Sequence, residues 1–159
     1  YTLTDSKITG DVTIVGNGNT TLKGATSSSG EPNTIALDVR EGATLKISGI
    51  KFDDAFNGIV TLGSGRVEIE NCIFNVTNMG IYVGQGTPGG YIKNCTFNMK
   101  EGSYVAIGAY GLTADLEISG CTFNGLGSHG YDVETFANNG DHLKVTGATV
   151  NPLDAPEGE

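Results

Sequence analysis

Five segments of the chain share one pattern of apolar and polar positions. In each, apolar residues alternate with polar ones, a Gly or Asn follows, and apolar positions resume with their parity shifted by one. Alternation with a period of two is typical of a β-strand that has one buried face. The segments are 45–52, 67–74, 91–97, 116–123 and 143–150, with a degenerate earlier copy at 12–16. We therefore count about six copies of one repeat over nearly the whole chain.

The residue at which the parity shifts predicts a corner in the backbone. Gly and Asn tolerate the left-handed region at the least cost, so the chain can bend there and keep both strands facing one interior. The corner residues are Gly49, Asn71, Asn94, Gly120 and Gly147. A third short strand is predicted before each copy, at 35–39, 59–62, 81–83, 105–107 and 131–133.

Three short strands per repeat, with no helical period between them, are typical of one turn of a solenoid. We expect an all-β fold, a right-handed parallel β-helix of about six coils with three short strands per coil. Residues 1–150 are expected to form a single β-helix domain, in which residues 23–34 are an insertion or cap loop. Residues 151–159 are acidic and Pro-containing, which is typical of a linker-like tail. We expect neighbouring domains of a longer chain.

Two internal columns and one corner ladder follow from stacking the copies in register. Phe52, Phe74, Phe97, Phe123 and Val150 form one, and Ile50, Cys72, Cys95, Cys121 and Ala148 form the next. A metal site or a redox centre is the alternative for the three Cys, but no His lies in register with them and no Cys-x-x-Cys occurs. We expect free, buried and unreactive thiols. Asn75, Asn98 and Asn124 are predicted to stack as an amide ladder.

The segments 71–75 (Asn-Cys-Ile-Phe-Asn), 94–98 (Asn-Cys-Thr-Phe-Asn) and 120–124 (Gly-Cys-Thr-Phe-Asn) carry a family resemblance. Over roughly residues 8–150 the chain resembles the pectate-lyase-like β-helix superfamily, and in particular the adhesin-like repeats of bacterial and archaeal cell-surface proteins. The resemblance implies an extracellular protein, either secreted or attached to the cell surface. In the lyases of this superfamily, carboxylates on neighbouring coils hold Ca²⁺ beside a basic residue that abstracts a proton.

The residues that would carry lyase activity are missing from this chain. We assign the corresponding outward row to Ala36/Asp38, Ile59/Thr61, Tyr82, Ala106 and Asp132/Glu134. Its acids lie at opposite ends, so no set of oxygen ligands converges on a Ca²⁺ ion. Ca²⁺ has no clear site, no other cofactor is expected, and no catalytic residue is assigned.

Two adjacent acids, Asp53 and Asp54, follow the first Phe of the inner column. They are the candidates for a metal site, although neighbouring carboxylates in a turn more often face solvent or bind an incidental cation.

The loops that precede the central strand of each repeat lengthen along the chain, and solenoid insertions on one side often build a binding face. Aromatic, amide and carboxylate side chains in these loops could bind a sugar. The candidate ligand-binding residues are Tyr110, Phe136, Asn138, Asn139, Asp141 and His142. The expected partner is a polysaccharide or a glycan of a host or cell surface.

Composition excludes two further classes of partner. The chain has 9 Lys and Arg against 18 Asp and Glu, a net charge of −9. Nucleic-acid binding and polybasic membrane binding both need clustered cations, so neither is expected. No apolar run reaches about 18 residues, so no membrane insertion is expected.

These observations favour a non-catalytic extracellular β-helix module of a larger cell-surface protein, with a stalk or adhesive role and glycan binding. The alternative is a polysaccharide lyase or glycoside hydrolase of the pectate-lyase-like superfamily. A further alternative is a fragment of a phage fibre or spike, whose β-helices typically trimerise.

Overall fold

The computed structural model describes residues 2–3, 6–24, 34–40, 42–125, 131–135 and 142–151. The strands are β1 (Thr2–Leu3), β2 (Ser6–Ile8), β3 (Val12–Gly24), β4 (Ile35–Val39), β5 (Thr44–Thr61), β6 (Arg66–Glu70), β7 (Ile73–Val83), β8 (Gly90–Lys93), β9 (Thr96–Asn98), β10 (Val105–Ala109), β11 (Leu116–Ser119), β12 (Thr122–Asn124), β13 (Tyr131–Thr135), β14 (Leu143–Thr146) and β15 (Thr149–Asn151).

The strands stack in parallel on three faces. The first face stacks β2, β4, the end of β5, the end of β7, β10 and β13. The second face stacks the start of β3, the start of β5, β6, β8, β11 and β14. The third face stacks β1, the end of β3, the middle of β5, the start of β7, β9, β12 and β15. This architecture confirms the predicted all-β parallel β-helix.

The structure differs from the prediction in coil count and in strand length. Six strands stack on the first face, but only about four turns have a neighbouring strand on both sides, slightly fewer than the six coils expected. Among the described residues, the outermost copies of the repeat have a neighbouring copy on one side only, and Val145 and Val150 in the last copy are 43% and 51% exposed. The strands are also not uniformly short, since β5 runs through 18 residues and contributes to all three faces.

The predicted corners have the left-handed backbone that the sequence requires. The φ angles are +64° at Gly49, +53° at Asn71, +51° at Asn94, +63° at Gly120 and +62° at Gly147. These corners turn the chain from the second face to the third, and they keep the apolar side chains of both strands on the inside.

Aromatic rings and thiols fill the interior beside these corners. Phe52, Phe74, Phe97 and Phe123 stack with ring centroids 4.7, 4.8 and 5.3 Å apart and nearly parallel planes. Cys72, Cys95 and Cys121 are free and buried in the adjacent column. Both predicted columns are therefore confirmed as buried as far as Phe123 and Cys121, whereas Val150 and Ala148, in the last copy, are exposed.

The predicted outward row on the first face is wrong at four positions. The register stacks Asp38, Val60, Tyr82, Gly108 and Glu134 in one outward row. Ile59, Thr61, Ala36 and Ala106 are fully buried instead. These strand segments are apolar at consecutive positions, so alternation does not reveal which side chains face outward.

A close approach between the first face and the Phe column explains part of this burial. A Cβ atom at Gly80 would lie 2.5 Å from the carbonyl oxygen of Ala106 and 2.7 Å from the ring of Phe97. Gly58 faces Phe74 in the same way. The position therefore carries small residues because a Phe ring occupies the space beside it.

Two of the expected domain boundaries differ from the ends of the observed strands by one or two residues. Lys23 and Gly24, assigned to the insertion, belong to β3, whereas residues 25–33 lie outside the described residues. Asn151, assigned to the tail, ends β15, and residues 152–159 also lie outside the described part. No helix within the described residues has the length and apolar character that crossing a membrane requires.

Candidate functional site

Three tyrosines and one carboxylate meet on the outer side of the first face, and we call Tyr82, Tyr104, Tyr110 and Glu134 the tyrosine cluster. Tyr82 lies in β7 and Glu134 in β13, in the same outward row. Tyr104 precedes β10 and Tyr110 follows it. In the outward row, Gly108 of β10 lies between Tyr82 and Glu134. A Cβ atom at Gly108 would lie 2.5 Å from the Tyr110 ring. The absent side chain of Gly108 leaves the ring room to lie on the sheet.

Glu134 joins two of the tyrosines through its two oxygens. The hydroxyl of Tyr104 donates to Oε1 of Glu134 at 3.3 Å, and the hydroxyl of Tyr110 donates to Oε2. The rings of Tyr82 and Tyr110 lie 5.4 Å apart with a 40° tilt. Tyr104 is 44% exposed, whereas Tyr110 is 9% exposed. Tyr110 thus supports the cluster from below, and Tyr104 and the half-buried Tyr82 present ring surface to solvent.

The electrostatics of the cluster favour hydrogen bonding over proton transfer. Burial, and then the hydrogen bond to Glu134, raise the pKa of Tyr110 well above its ordinary value. Its hydroxyl stays protonated at neutral pH and acts as a donor, not as a nucleophile or base. Burial also raises the pKa of Asp132, two residues before Glu134 in β13.

The six residues predicted to bind a ligand fall into three groups. Tyr110 lies in the tyrosine cluster. His142 lies immediately before β14, and its Nδ1 is 3.1 Å from the carboxylate of Asp115. Phe136, Asn138, Asn139 and Asp141 lie outside the described residues.

Sequence reasoning missed Tyr104 as a site residue, and it missed Glu134 as the common hydrogen-bond partner of Tyr104 and Tyr110. Tyr104 and Tyr110 precede Glu134 by 30 and 24 residues, so the cluster depends on the stacking register and on the loops between strands. One local signal was available, because Gly108 two residues before Tyr110 leaves a space of the size an aromatic ring can fill.

The two candidate metal ligands each face a lysine. The Nζ atom of Lys51 lies 3.7 Å from the carboxylate of Asp53, and that of Lys23 lies 3.0 Å from the carboxylate of Asp54. Asn75 also donates to Asp53. In the part of the chain that the structure describes, no three His, Cys, Asp or Glu side chains are grouped to hold a metal ion.

Asp53 also ends a directional chain of amides along the third face. Each side chain donates from Nδ2 to the oxygen of the residue one turn earlier. The steps are Asn151 to Asn124 at 2.8 Å, Asn124 to Asn98 at 2.7 Å, Asn98 to Asn75 at 2.8 Å and Asn75 to Asp53 at 3.2 Å. The predicted amide ladder is confirmed, and it extends by one residue at each end.

The three thiols have hydrogen-bond partners and little access to solvent. Each is 1% exposed. The sulfurs of Cys72, Cys95 and Cys121 donate to the carbonyl oxygens of Glu70, Lys93 and Ser119 at 3.2, 3.3 and 3.6 Å. Hydrogen bonding with Cys121 and Cys72, together with burial, raises the pKa of Cys95, while hydrogen bonding with Cys95 lowers the pKa of Cys121 to about 7. Because burial excludes reagents, access limits reactivity at all three sites.

The outer side of the second face carries paired charges. Lys46 lies 3.1 Å from Glu68, and Lys93 lies 3.0 Å from Glu117 while also approaching the Tyr91 ring at 4.9 Å. The hydrogen bond from Lys46 lowers the pKa of Glu68, and that from Lys93 lowers the pKa of Glu117. Two of the carboxylates on this face are therefore balanced by lysines.

A comparison with known protein families agrees with the geometry. A family model described as a right handed beta helix region matches residues 2–151, which is nearly the whole chain. No curated protein and no solved structure matches the chain.

Proposed function

The chain belongs to the right-handed β-helix family, and from that premise we propose that it is a non-catalytic extracellular module of a cell-surface protein. Its role is that of a stalk or adhesive element that binds a glycan on the outer side of the first face.

The observation that carries this proposal is the tyrosine cluster. Aromatic rings supply apolar area with a polar edge, and binding sites combine such surfaces with a few well-placed polar groups. The exposed ring of Tyr104 and the half-buried ring of Tyr82 supply the surface, and Glu134 supplies a hydrogen-bond acceptor. A sugar offers an apolar ring face and hydroxyl donors, which match both features.

Two features support a binding role over a catalytic one. Asp38 and Glu134 lie four strands apart in the outward row, about 19 Å at the spacing of parallel strands. That separation excludes these two end acids as a catalytic pair, because paired carboxylates hydrolyse glycosidic bonds at roughly 5 to 9.5 Å. The protonated hydroxyl of Tyr110 also holds one oxygen of Glu134 in a hydrogen bond.

The burial of the three thiols is compatible with the extracellular part of the proposal. Oxidising compartments convert accessible thiols to disulfides or oxidised species. Cys72, Cys95 and Cys121 are sealed inside the solenoid, so the domain can retain reduced cysteines outside the cell without a partner for each.

A glycan array with fluorescently labelled domain tests the proposal. The wild type should bind a defined group of glycans, and Tyr104→Ala should weaken that binding at least about 10-fold by removing the exposed ring. Tyr91→Ala is the matched control, because Tyr91 is an outward tyrosine on the second face. Equal loss in both variants, or no binding by the wild type, would contradict the proposal.

A glycoside hydrolase is the second candidate, favoured by the pair Asp132 and Glu134 two residues apart in β13. The raised pKa of Asp132 is a property of a general acid. Incubation with uronate and neutral polysaccharides, with and without Ca²⁺, separates the two functions. Turnover that Asp132→Asn and Glu134→Gln both abolish would establish the enzyme, whereas binding without turnover supports the module.

A further inference from the structure

We infer that the tyrosine cluster selects uncharged glycans and rejects glycans that carry carboxylate or sulfate groups. The inference rests on the proposed function and adds the class of ligand. It follows from the position of Glu134, whose two oxygens face the two tyrosine hydroxyls at the centre of the cluster.

Glu134 has acceptor capacity left for a ligand. An ionised carboxylate offers about four acceptor positions. Tyr104 and Tyr110 occupy one on each oxygen. The remaining positions can accept hydrogen bonds from sugar hydroxyls, which are donors. A uronate carboxylate or a sulfate ester has only acceptors to offer there, so it would face Glu134 without a shared proton.

The surrounding charges reinforce this selection. Along β7, β10 and β13, the charged side chains are Asp132 and Glu134, both acidic. At the other end of the outward row, Lys7 lies next to Asp38. Asp38 forms an ion pair with Arg40.

Lys100 is the cation nearest to the cluster in the sequence. It lies four residues before Tyr104 and is followed directly by Glu101, whose charge opposes it. The whole chain also carries a net charge of −9, so an anionic glycan meets a repulsive field as it approaches.

The ring surface supplies attraction that does not depend on charge. Tyr104 is 44% exposed, and Tyr82 is half-buried against Tyr110. Both rings can pack against the apolar face of a neutral sugar. Binding of a neutral glycan should therefore change little with salt, because no ion pair contributes.

The test compares two oligosaccharide series of equal length and linkage, one neutral and one uronate, by calorimetric titration. We expect the wild type to bind a neutral member at least about 10-fold more tightly than its uronate counterpart. Glu134→Gln keeps the shape and removes the charge, so it should narrow that ratio to about 3-fold or less. Asp115→Asn changes the net charge equally at an exposed site paired with His142, and it should leave the ratio unchanged.

The outcomes separate the two claims. Equal or tighter binding of the uronate series by the wild type overturns the inference and leaves the proposed function standing. An unchanged ratio in Glu134→Gln, or an equal change in Asp115→Asn, also overturns it, because selection then comes from elsewhere. Binding of neither series contradicts the proposed function itself. Far-ultraviolet circular dichroism of each variant confirms that it retains the strand structure.

Discussion

At the scale of single residues, two asparagines take the corner positions that glycine takes in other turns. Asn71 and Asn94 have φ angles of +53° and +51°. Residues with a Cβ atom are disfavoured in this region by roughly 1–2 kcal/mol, and Asn is among the exceptions because its short side chain can bond locally. The residue type at each of these two positions therefore favours the left-handed backbone of the corner.

Substitution of Asn71 tests the corner directly. Asn71→Ala should lower the free energy of unfolding by about 1 kcal/mol, because alanine bears the full cost of the left-handed backbone. Asn71→Gly should remain close to the wild type, since glycine adopts this backbone freely. Urea denaturation measures both, and an alanine variant as stable as the glycine variant would contradict the assignment.

Tyr110 gives the domain a specific response to alkaline pH. Its pKa is raised in the folded state. Above about pH 10, and below the folded-state pKa, Tyr110 is therefore ionised in the unfolded chain and protonated in the folded chain. The unfolded state then binds fewer protons, and stability falls as pH rises. The wild type should lose stability relative to Tyr110→Phe above about pH 10 and not below it. If the free energy of unfolding changed with pH in the same way in both proteins, the hydroxyl of Tyr110 would not be buried and hydrogen-bonded as described.

At the scale of elements, register is fixed by columns of like residues that cross from strand to strand. The amide ladder is directional, because every asparagine donates toward Asp53, and Asn75, Asn98 and Asn124 each accept from the next turn. Asp53 ends the ladder as an acceptor only, so its carboxylate does not have to donate a hydrogen bond. A shift of register by one residue would break every step of this chain together.

The middle of the ladder is sensitive to the direction of one hydrogen bond. Asn98→Asp should cost about 1–3 kcal/mol at neutral pH, because a carboxylate cannot donate to Asn75. Protonation restores the donor, so the pKa of the introduced carboxyl should be raised and the deficit should shrink as pH falls through it. Asn98→Ala is the control, because its deficit should not depend on the titration of that group. Equal pH profiles for the two variants would refute the directional ladder.

At the scale of the whole molecule, stability is expected to vary along the rod. Each turn of a solenoid contacts its neighbours only, so an end turn has half the contacts of a central one. Leu143 is half-buried and Val145 is 43% exposed in the last copy, whereas Ile69 and Ile92 are fully buried in central turns.

Hydrogen exchange measures this gradient residue by residue. Amides of β6 and β8 should exchange most slowly, and those of β14 and β15 should exchange fastest, since end turns open locally. Uniform protection across all these strands would mean that the domain unfolds only as one unit, contrary to this expectation.

The sequence predicted the parts of the fold that local pattern controls. The corners at Gly49 and Asn71 and the stacked Phe and Cys columns depend on residue type and repeat spacing, and both are visible in the sequence. The outward row on the first face was partly wrong, because Ile59 and Ala106 lie in segments whose apolar positions are consecutive. Of the tyrosine cluster, only Tyr110 was predicted as a ligand-binding residue. Its contact with Glu134 depends on the conformation of the loops between strands, which the repeat pattern does not predict.

The central claim is that the outer side of the first face, at the tyrosine cluster, is where the domain meets a glycan. Mapping amide chemical shifts of the isotopically labelled domain during titration with a neutral oligosaccharide tests it most directly. The account predicts that the largest changes occur at Tyr82, Tyr104, Gly108 and Glu134. Changes centred on Tyr91 and the second face, with none at the tyrosine cluster, would contradict it.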